Sequence, residues 1–376
     1  MAKRRGNGEG TITRRKDGRW EARYTADTGT GPKRKVLYGK TRAEAAEKLT
    51  KAMADRDGGL VFDTNNQTVG EYLARWLNDS VRGSVKPITF ESYERLVRVH
   101  IVPALGRVKL KNLSPAHLQA FYRNRLDAGL SPRTVRYLHA LMHRSLKQAL
   151  RWNLVHSNVA KAVDPPKMPR ADMRAMSPKQ TRLFLEAARE DRLEALYVLA
   201  VHCGLRQGEL LALRWEDVDL ETGTLRVSRT LSRTKDGPIF TAPKTAKSRR
   251  TVRLTTGAVE ALKRHSERQA EEIVRMDTLY QDQGLVFASE VGTPLNRHNV
   301  NFRSFKPLLE RAGLPNIRFH DLRHTCATLL LGRSVHPKFV QELLGHATIA
   351  ITLDTYSHVL PNMGDQASRA MEDVLS

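Results

Sequence analysis

Apolar side chains recur at helical spacing from Val69 to Val359, and this period commits most of the chain to helices that bury one face against another. Thr68-Val-Gly-Glu71 is a capping box that opens one such helix, carrying Val69, Tyr72, Leu73, Trp76 and Leu77. A second helix starts at Thr89, carries Phe90, Tyr93, Leu96, Val97 and Ile101, and is expected to stop at Pro103 and Gly106. Ser114-Pro115 and Ser131-Pro132 each set a capping hydroxyl before a proline at the first helical position, so two more helices begin there. The four together predict a compact bundle.

The patterning persists against a heavy charge imbalance. Lys and Arg number 63 against 40 acidic residues, a formal net charge of +23. Self-repulsion of that size points to a polyanionic partner. The 376 residues suffice for two or three domains. Cys203 and Cys326 are the only cysteines, too few for a disulfide framework or a four-thiolate zinc site. No uncharged apolar run approaches the roughly 20 residues of a membrane span, and no apolar leader follows the basic N-terminus. The expectation is a cytoplasmic protein without a structural metal.

Composition shifts divide the chain near residues 1–66, 67–165 and 166–376. In the first part Thr11–Thr13, Trp20–Thr25 and Lys35–Tyr38 alternate between turn signals, predicting three short strands, and a helix from Arg42 to about Arg56 closes the unit. Arg14, Arg15, Lys16, Arg19 and Arg23 cluster on the first strand pair, a basic sheet face suited to a DNA groove. In the second part 16 basic residues meet 6 acidic ones. Its last helix packs with Val135, Leu138, Met142, Leu146 and Ala149, while Arg133, Arg136, Arg144 and Lys147 make a cationic face for the DNA backbone. Trp76, Tyr93 and Tyr137 read as core. Asp164-Pro-Pro-Lys-Met-Pro-Arg170 is an extended connector. The third part is mostly helical, with β-signals from Thr224 to Leu254 and a hairpin turn at Lys235-Asp-Gly237.

Chemistry concentrates in the third part. Arg206 in Gly204-Leu-Arg-Gln-Gly-Glu209 stands between a glycine break and a helix start, where guanidinium and backbone amides can face one anion. His320 and Arg323, three apart at the start of an apolar helix, pair an imidazole with a fixed cation. His320 and His324 are also spaced like a zinc pair, but no third ligand falls at a familiar spacing. His346 ends Leu343-Leu-Gly-His346, and Tyr356 follows ten residues later; taken alone, that tyrosine reads as packing. Taken together, two arginines, two histidines, a lysine-bearing hairpin and a tyrosine suit covalent phosphodiester chemistry. A phenolate can attack phosphorus while cations neutralise the crowded transition state.

These segments resemble the tyrosine recombinases of the phage integrase family: Arg206 in GLRQGELLALRW, the hairpin TAPKTAKSRRTV, His320 and Arg323 in HDLRHT, His346 in LLGH and Tyr356 in TYSH, in the family's chain order. The resemblance implies a multidomain, mainly α fold: a small N-terminal β-sheet plus helix domain for arm-type DNA sites (1–66), a four-helix core-binding domain (67–165), and a mixed, mainly-α catalytic domain with a small antiparallel sheet (166–376). It implies that Tyr356 attacks the scissile phosphate to leave a 3′-phosphotyrosyl bond, that Arg206 and Arg323 hold the non-bridging oxygens, and that a hairpin lysine protonates the leaving 5′-oxygen: Lys244, whose Pro-Lys-Thr setting before a second strand is the family's usual one, with Lys235 and Lys247 as neighbouring alternatives. His320 would help take the phenolic proton and His346 would hydrogen-bond the phosphate. Arg249 and Arg250 fit phosphate contacts or a solvated surface rather than catalysis, and His324 and His358 a structural role.

The implied function is site-specific recombination that integrates or excises a mobile element, with no cofactor. The implied partners are double-stranded attachment sites, a homotetramer formed on them, and DNA-bending or directionality factors. The segment after Pro361 is expected to dock on a neighbouring subunit. Two other functions use the same residues: a catalytically silent DNA-binding regulator, and a DNA-relaxing topoisomerase.

Overall fold

The computed structural model describes residues 10–28, 31–57, 66–168, 174–243, 248–356 and 371–375. The chain forms two compact units, Met1–Arg170 and Ala171–Ser376. The first holds two separate hydrophobic cores, so two of the three expected parts share one unit.

The smaller core lies under an antiparallel sheet of β1 (Thr11–Arg14), β2 (Trp20–Thr28) and β3 (Gly31–Gly39), ordered β1-β2-β3. Period-2 alternation puts Ala22, Tyr24 and Ala26 on one face, covered by Ala45 and Leu49 of α1 (Arg42–Asp57). On the other face Tyr38 is paired with Glu21 and remains exposed. Arg15 and Arg19 lie over its ring at 5.3 and 5.8 Å. Arg15 is also bonded to Glu21, and Arg19 to Asp17, so part of this basic cluster is internally neutralised. Arg14 and Lys16 are exposed.

The bundle comprises α2 (Val69–Trp76), α3 (Pro87–Leu96), α4 (Val102–Leu105), α5 (Pro115–Asp127) and α6 (Pro132–Arg151). Thr68, Ser114 and Ser131 cap their helices through side-chain oxygens. The second helix stops at Gly106, as expected, but runs through Pro103 rather than breaking there. A π-helical turn, Val97–Ile101, leads straight into α4, with Val102 N–H reaching the Val97 carbonyl; lengthening the ladder ahead of Pro103 accommodates its missing donor. Tyr137 is 55% exposed, against the expectation of a core residue, and Arg133 covers its ring at 5.9 Å. Arg136 donates to the Pro166 carbonyl and Arg144 to the Tyr93 hydroxyl, and Lys147 is exposed.

The second unit is built around α8 (Glu194–His202), which is buried nearly all round because Ala195–Val201 offers no polar side other than one tyrosine. α7 (Pro178–Ala187) precedes it, and the short α9 (Gln207–Leu210) follows it. Two sheets come next rather than the one expected: β4 (Val218–Asp219), β5 (Thr224–Val227) and β8 (Arg250–Arg253) pair in the order β4-β5-β8, while β6 (Thr230–Thr234) and β7 (Gly237–Thr241) form a separate hairpin. The long α10 (Thr256–Met276) packs on α8. Then α11 (Arg297–Asn299) runs through a π-helical stretch, Val300–Phe305, into α12 (Lys306–Arg311). Last come α13 (His320–Leu331), α14 (Pro337–Leu344) and α15 (Ile349–Tyr356). Among the described residues no helix is long and apolar enough to cross a membrane.

Candidate active site

The C-terminus of α14 organises the site. Gly345 there adopts φ +64°, and Gly345 N–H and His346 N–H bond back to Glu342 and Gln341, closing the helix with a left-handed turn. That closure leaves the carbonyls of Leu343 and Leu344 without helical donors. Arginines supply them: Arg250 Nε donates to Leu343 O at 2.6 Å, and Arg323 Nη2 to Leu344 O at 2.6 Å. A cation at this end of the helix also opposes its dipole. At Gly345 a Cβ would stand 3.0 Å from Arg250 Nη1, so a side chain there would crowd the guanidinium.

Glu209 ties the arginines together from the other side. It is buried, accepts from Arg206 Nη1 at 2.7 Å and from Arg250 Nη2 at 3.0 Å, and also accepts the Arg206 backbone N–H. Burial alone would raise its pKa, but Arg250 and then Arg206 outweigh it, and the carboxyl stays below its ordinary range. Arg206 keeps about a third of its side chain exposed, reaching Gly345 O at 3.4 Å. Arg323 is 2% exposed and donates its second bond to Gly204 O at 2.7 Å. Burial, then Arg206, push its pKa down to about 9, which still leaves it charged at neutral pH.

The histidines line the same cluster. His320 is solvent-exposed at one edge, yet partial burial followed by His324, Arg323 and Arg206 hold its pKa down at about 4. His346 is half-buried, bonded through Nδ1 to Thr352 Oγ1 at 2.8 Å, and held at about 3 by burial and then by Arg323 and Arg206. Both imidazoles are neutral at pH 7 and can each donate one N–H and accept at the other nitrogen. Tyr356 ends α15 with 1% exposure, its ring packed against Ala327, Leu331, Val340 and Leu344. Its hydroxyl meets His324 Nδ1 at 2.8 Å. Burial pushes the phenol up to about 12, opposed by Arg323.

Arg206, His320, Arg323, His346 and Tyr356, spread over 151 positions of sequence, thus meet around one cationic centre. Lys244 and Lys247 lie outside the described residues, as does His358. Arg249 is exposed. Arg250, expected to contact phosphate, is turned inward in this structure, its side chain 7% exposed and its Nε, Nη1 and Nη2 engaged by Leu343 O, Ser248 O and Glu209. Sequence reasoning passed over Glu209, whose signal was an acid three residues after Arg206 at a helix start, and placed His324 among structural residues. Cys203 is free and buried.

Comparison with known proteins agrees with this geometry. Residues 174–363 match the phage integrase family, and residues 68–126 match the phage integrase N-terminal SAM-like domain. A "Tyrosine recombinase XerC-like" protein of Caldanaerobacter subterraneus subsp. tengcongensis is 34% identical over 360 residues, covering 91% of this chain and 92% of its own. An integrase of Streptomyces ambofaciens is 32% identical over 374 residues, covering 95% and 94%. Among solved structures, the Tn1549 transposon integrase in complex with a circular intermediate DNA superposes with a TM-score of 0.69 at 22% identity, covering 82% of this chain and 99% of that one. A lambda integrase tetramer bound to a Holliday junction gives 0.58 at 20% identity, covering 94% and 96%.

Proposed function

This chain belongs to the phage integrase family of tyrosine recombinases, and we propose that it integrates or excises a mobile element by cutting and rejoining DNA through a 3′-phosphotyrosyl intermediate. The observation that supports this is that Arg206 and Arg323 bond the carbonyls of Gly345 and Leu344 at the end of α14, while His346 bonds Thr352 of α15 and Tyr356, ending that helix, bonds His324 beside His320.

In this mechanism Tyr356 Oη attacks the scissile phosphorus while the bond to the 5′-oxygen breaks. Arg206 and Arg323 hold the non-bridging oxygens. Their backbone and Glu209 contacts fix the guanidiniums beforehand, so little reorganisation is needed as charge develops. His346 donates to the phosphate, His320 helps to take the phenolic proton, and Lys244 gives a proton to the leaving oxygen. The phosphotyrosyl ester conserves the bond energy, so a 5′-hydroxyl of the partner strand can attack it and release Tyr356 without ATP. The cationic N-terminal sheet and the Arg133, Arg136, Arg144 and Lys147 face of α6 serve the DNA backbone.

Exchange between two duplexes needs four cleavages, which calls for a homotetramer on DNA, with DNA-bending or directionality factors as further partners. The lambda integrase tetramer on a Holliday junction supports this assembly. Residues 371–375 are helical and expose Met371, Val374 and Leu375, which suits docking of the segment after Pro361 on a neighbour.

Tyr356→Phe tests the nucleophile. The variant is expected to bind DNA from the flanks of its coding region as the parent does and to form no denaturant-resistant adduct; a persistent adduct overturns the assignment.

A further inference from the structure

We propose that His324 is a positioning residue for Tyr356, its Nδ1 holding the phenolic hydroxyl in the direction that brings it to the arginine cluster. The inference rests on the assignment of Tyr356 as the nucleophile.

Tyr356 closes the last described turn of α15. The apolar groups around its ring, Ala327, Leu331, Val340 and Leu344, restrict the ring's position but give the O–H bond no direction. Among the described residues the hydroxyl's hydrogen-bond partner is His324 Nδ1, at 2.8 Å, with ring centroids 5.8 Å apart. The phenol donates in this bond, because an Nδ1–H tautomer would leave a buried O–H without an acceptor. His324 then carries its proton on Nε2. Burial holds the ring's pKa below the ordinary histidine range, which keeps the lone pair available.

The platform beneath His324 is tied down by hydrogen bonds on both sides. Asp321 takes the Arg318 backbone N–H and guanidinium at the start of α13, Arg323 is pinned to Gly204 O and Leu344 O, and Thr325 Oγ1 bonds Asp321 O while accepting Met176 N–H. His324 lies between two of these anchors. Its ring also meets His320 edge to face at 4.9 Å, so the hydroxyl's holder touches an imidazole at the open edge of the site.

Asparagine places an amide oxygen close to where Nδ1 stands and cannot act as a base at neutral pH, whereas phenylalanine keeps the ring volume without an acceptor. On a supercoiled plasmid carrying the DNA that flanks the coding region, His324→Phe should slow formation of the covalent adduct by roughly 100-fold, with DNA affinity and thermal midpoint unchanged. His324→Asn should stay within about 3-fold of the parent, since the acceptor is kept. If His324→Phe does not fold, His324→Gln replaces it, with its amide nearer the Nε2 edge and the same loss expected. A phenylalanine or glutamine variant as fast as the parent, or an asparagine variant as slow as the phenylalanine one, overturns the proposal. Tyr356→Phe, run alongside, separates the two claims: an adduct that survives in Tyr356→Phe sinks the nucleophile, while its loss there together with normal rates in His324→Phe sinks only the positioning role.

Discussion

Arg323 donates to the carbonyl oxygen of Gly204 at 2.7 Å across 119 residues of sequence, and its other terminal nitrogen reaches Leu344. One guanidinium thereby joins the loop before α9, the start of α13 and the end of α14.

Lysine cannot make both of those bonds from a single point charge while also facing a phosphate. Arg323→Lys is expected to lower the rate of covalent-adduct formation by about 100-fold or more, the size of effect seen when one oxyanion contact is removed. Single-turnover cleavage at saturating DNA measures it, and a loss confined to affinity would contradict the role.

Glu209 is the buried anion between Arg206 and Arg250. Replacing it with glutamine leaves two cations partly uncompensated, which costs about 3–5 kcal/mol when a buried pair loses one member. Urea unfolding should show this for Glu209→Gln. Because the folded carboxyl's pKa lies below its unfolded value, its contribution is complete above the unfolded pKa near 4.3 and disappears as pH falls through the folded value.

Gly204 has φ +59°, and a Cβ there would lie 2.5 Å from Leu344 Cδ2. Gly204→Ala adds left-handed strain of roughly 1–2 kcal/mol to that overlap. Its melting temperature should fall, and its cleavage rate with it, since the Gly204 carbonyl aligns Arg323. Gly223→Ala is the control: it shares the positive φ, but its nearest neighbour would be 3.7 Å away, so strain acts there without overlap.

The two site imidazoles predict acid sensitivity above the carboxylate range. Unfolded histidine takes a proton near pH 6.5, whereas His320 and His346 in the folded chain resist protonation until about 4 and 3. Between those values the unfolded chain binds more protons, so stability is full above pH 6.5 and declines as pH falls toward 4. Denaturant midpoints measured at pH 7.5, 6 and 5 should drop in that order, and His346→Gln should shallow the slope.

Local rules carried well where the signal was short-range. Thr68, Ser114 and Ser131 cap helices as their spacing implied, and Ala22 and Tyr24 face inward as their alternation implied. Pro103 misled because a π-turn can relieve a missing donor inside a helix, and Tyr137 misled because an aromatic on a cationic helix can find an arginine instead of a core.

The sequence by itself determined which segments are helical, how they are capped, and which residue types are available for phosphate chemistry, since each depends on neighbours within a few positions. Only the tertiary structure decided which polar groups are spent and which remain. Arg249 and Arg250 are adjacent and chemically identical, yet Arg249 is exposed while Arg250 is sealed against Glu209 and the end of α14. His320 and His324 share a helix, yet His324 holds the Tyr356 hydroxyl. Burial and long-range hydrogen bonds assign such roles, and both arise from packing between segments far apart in the chain.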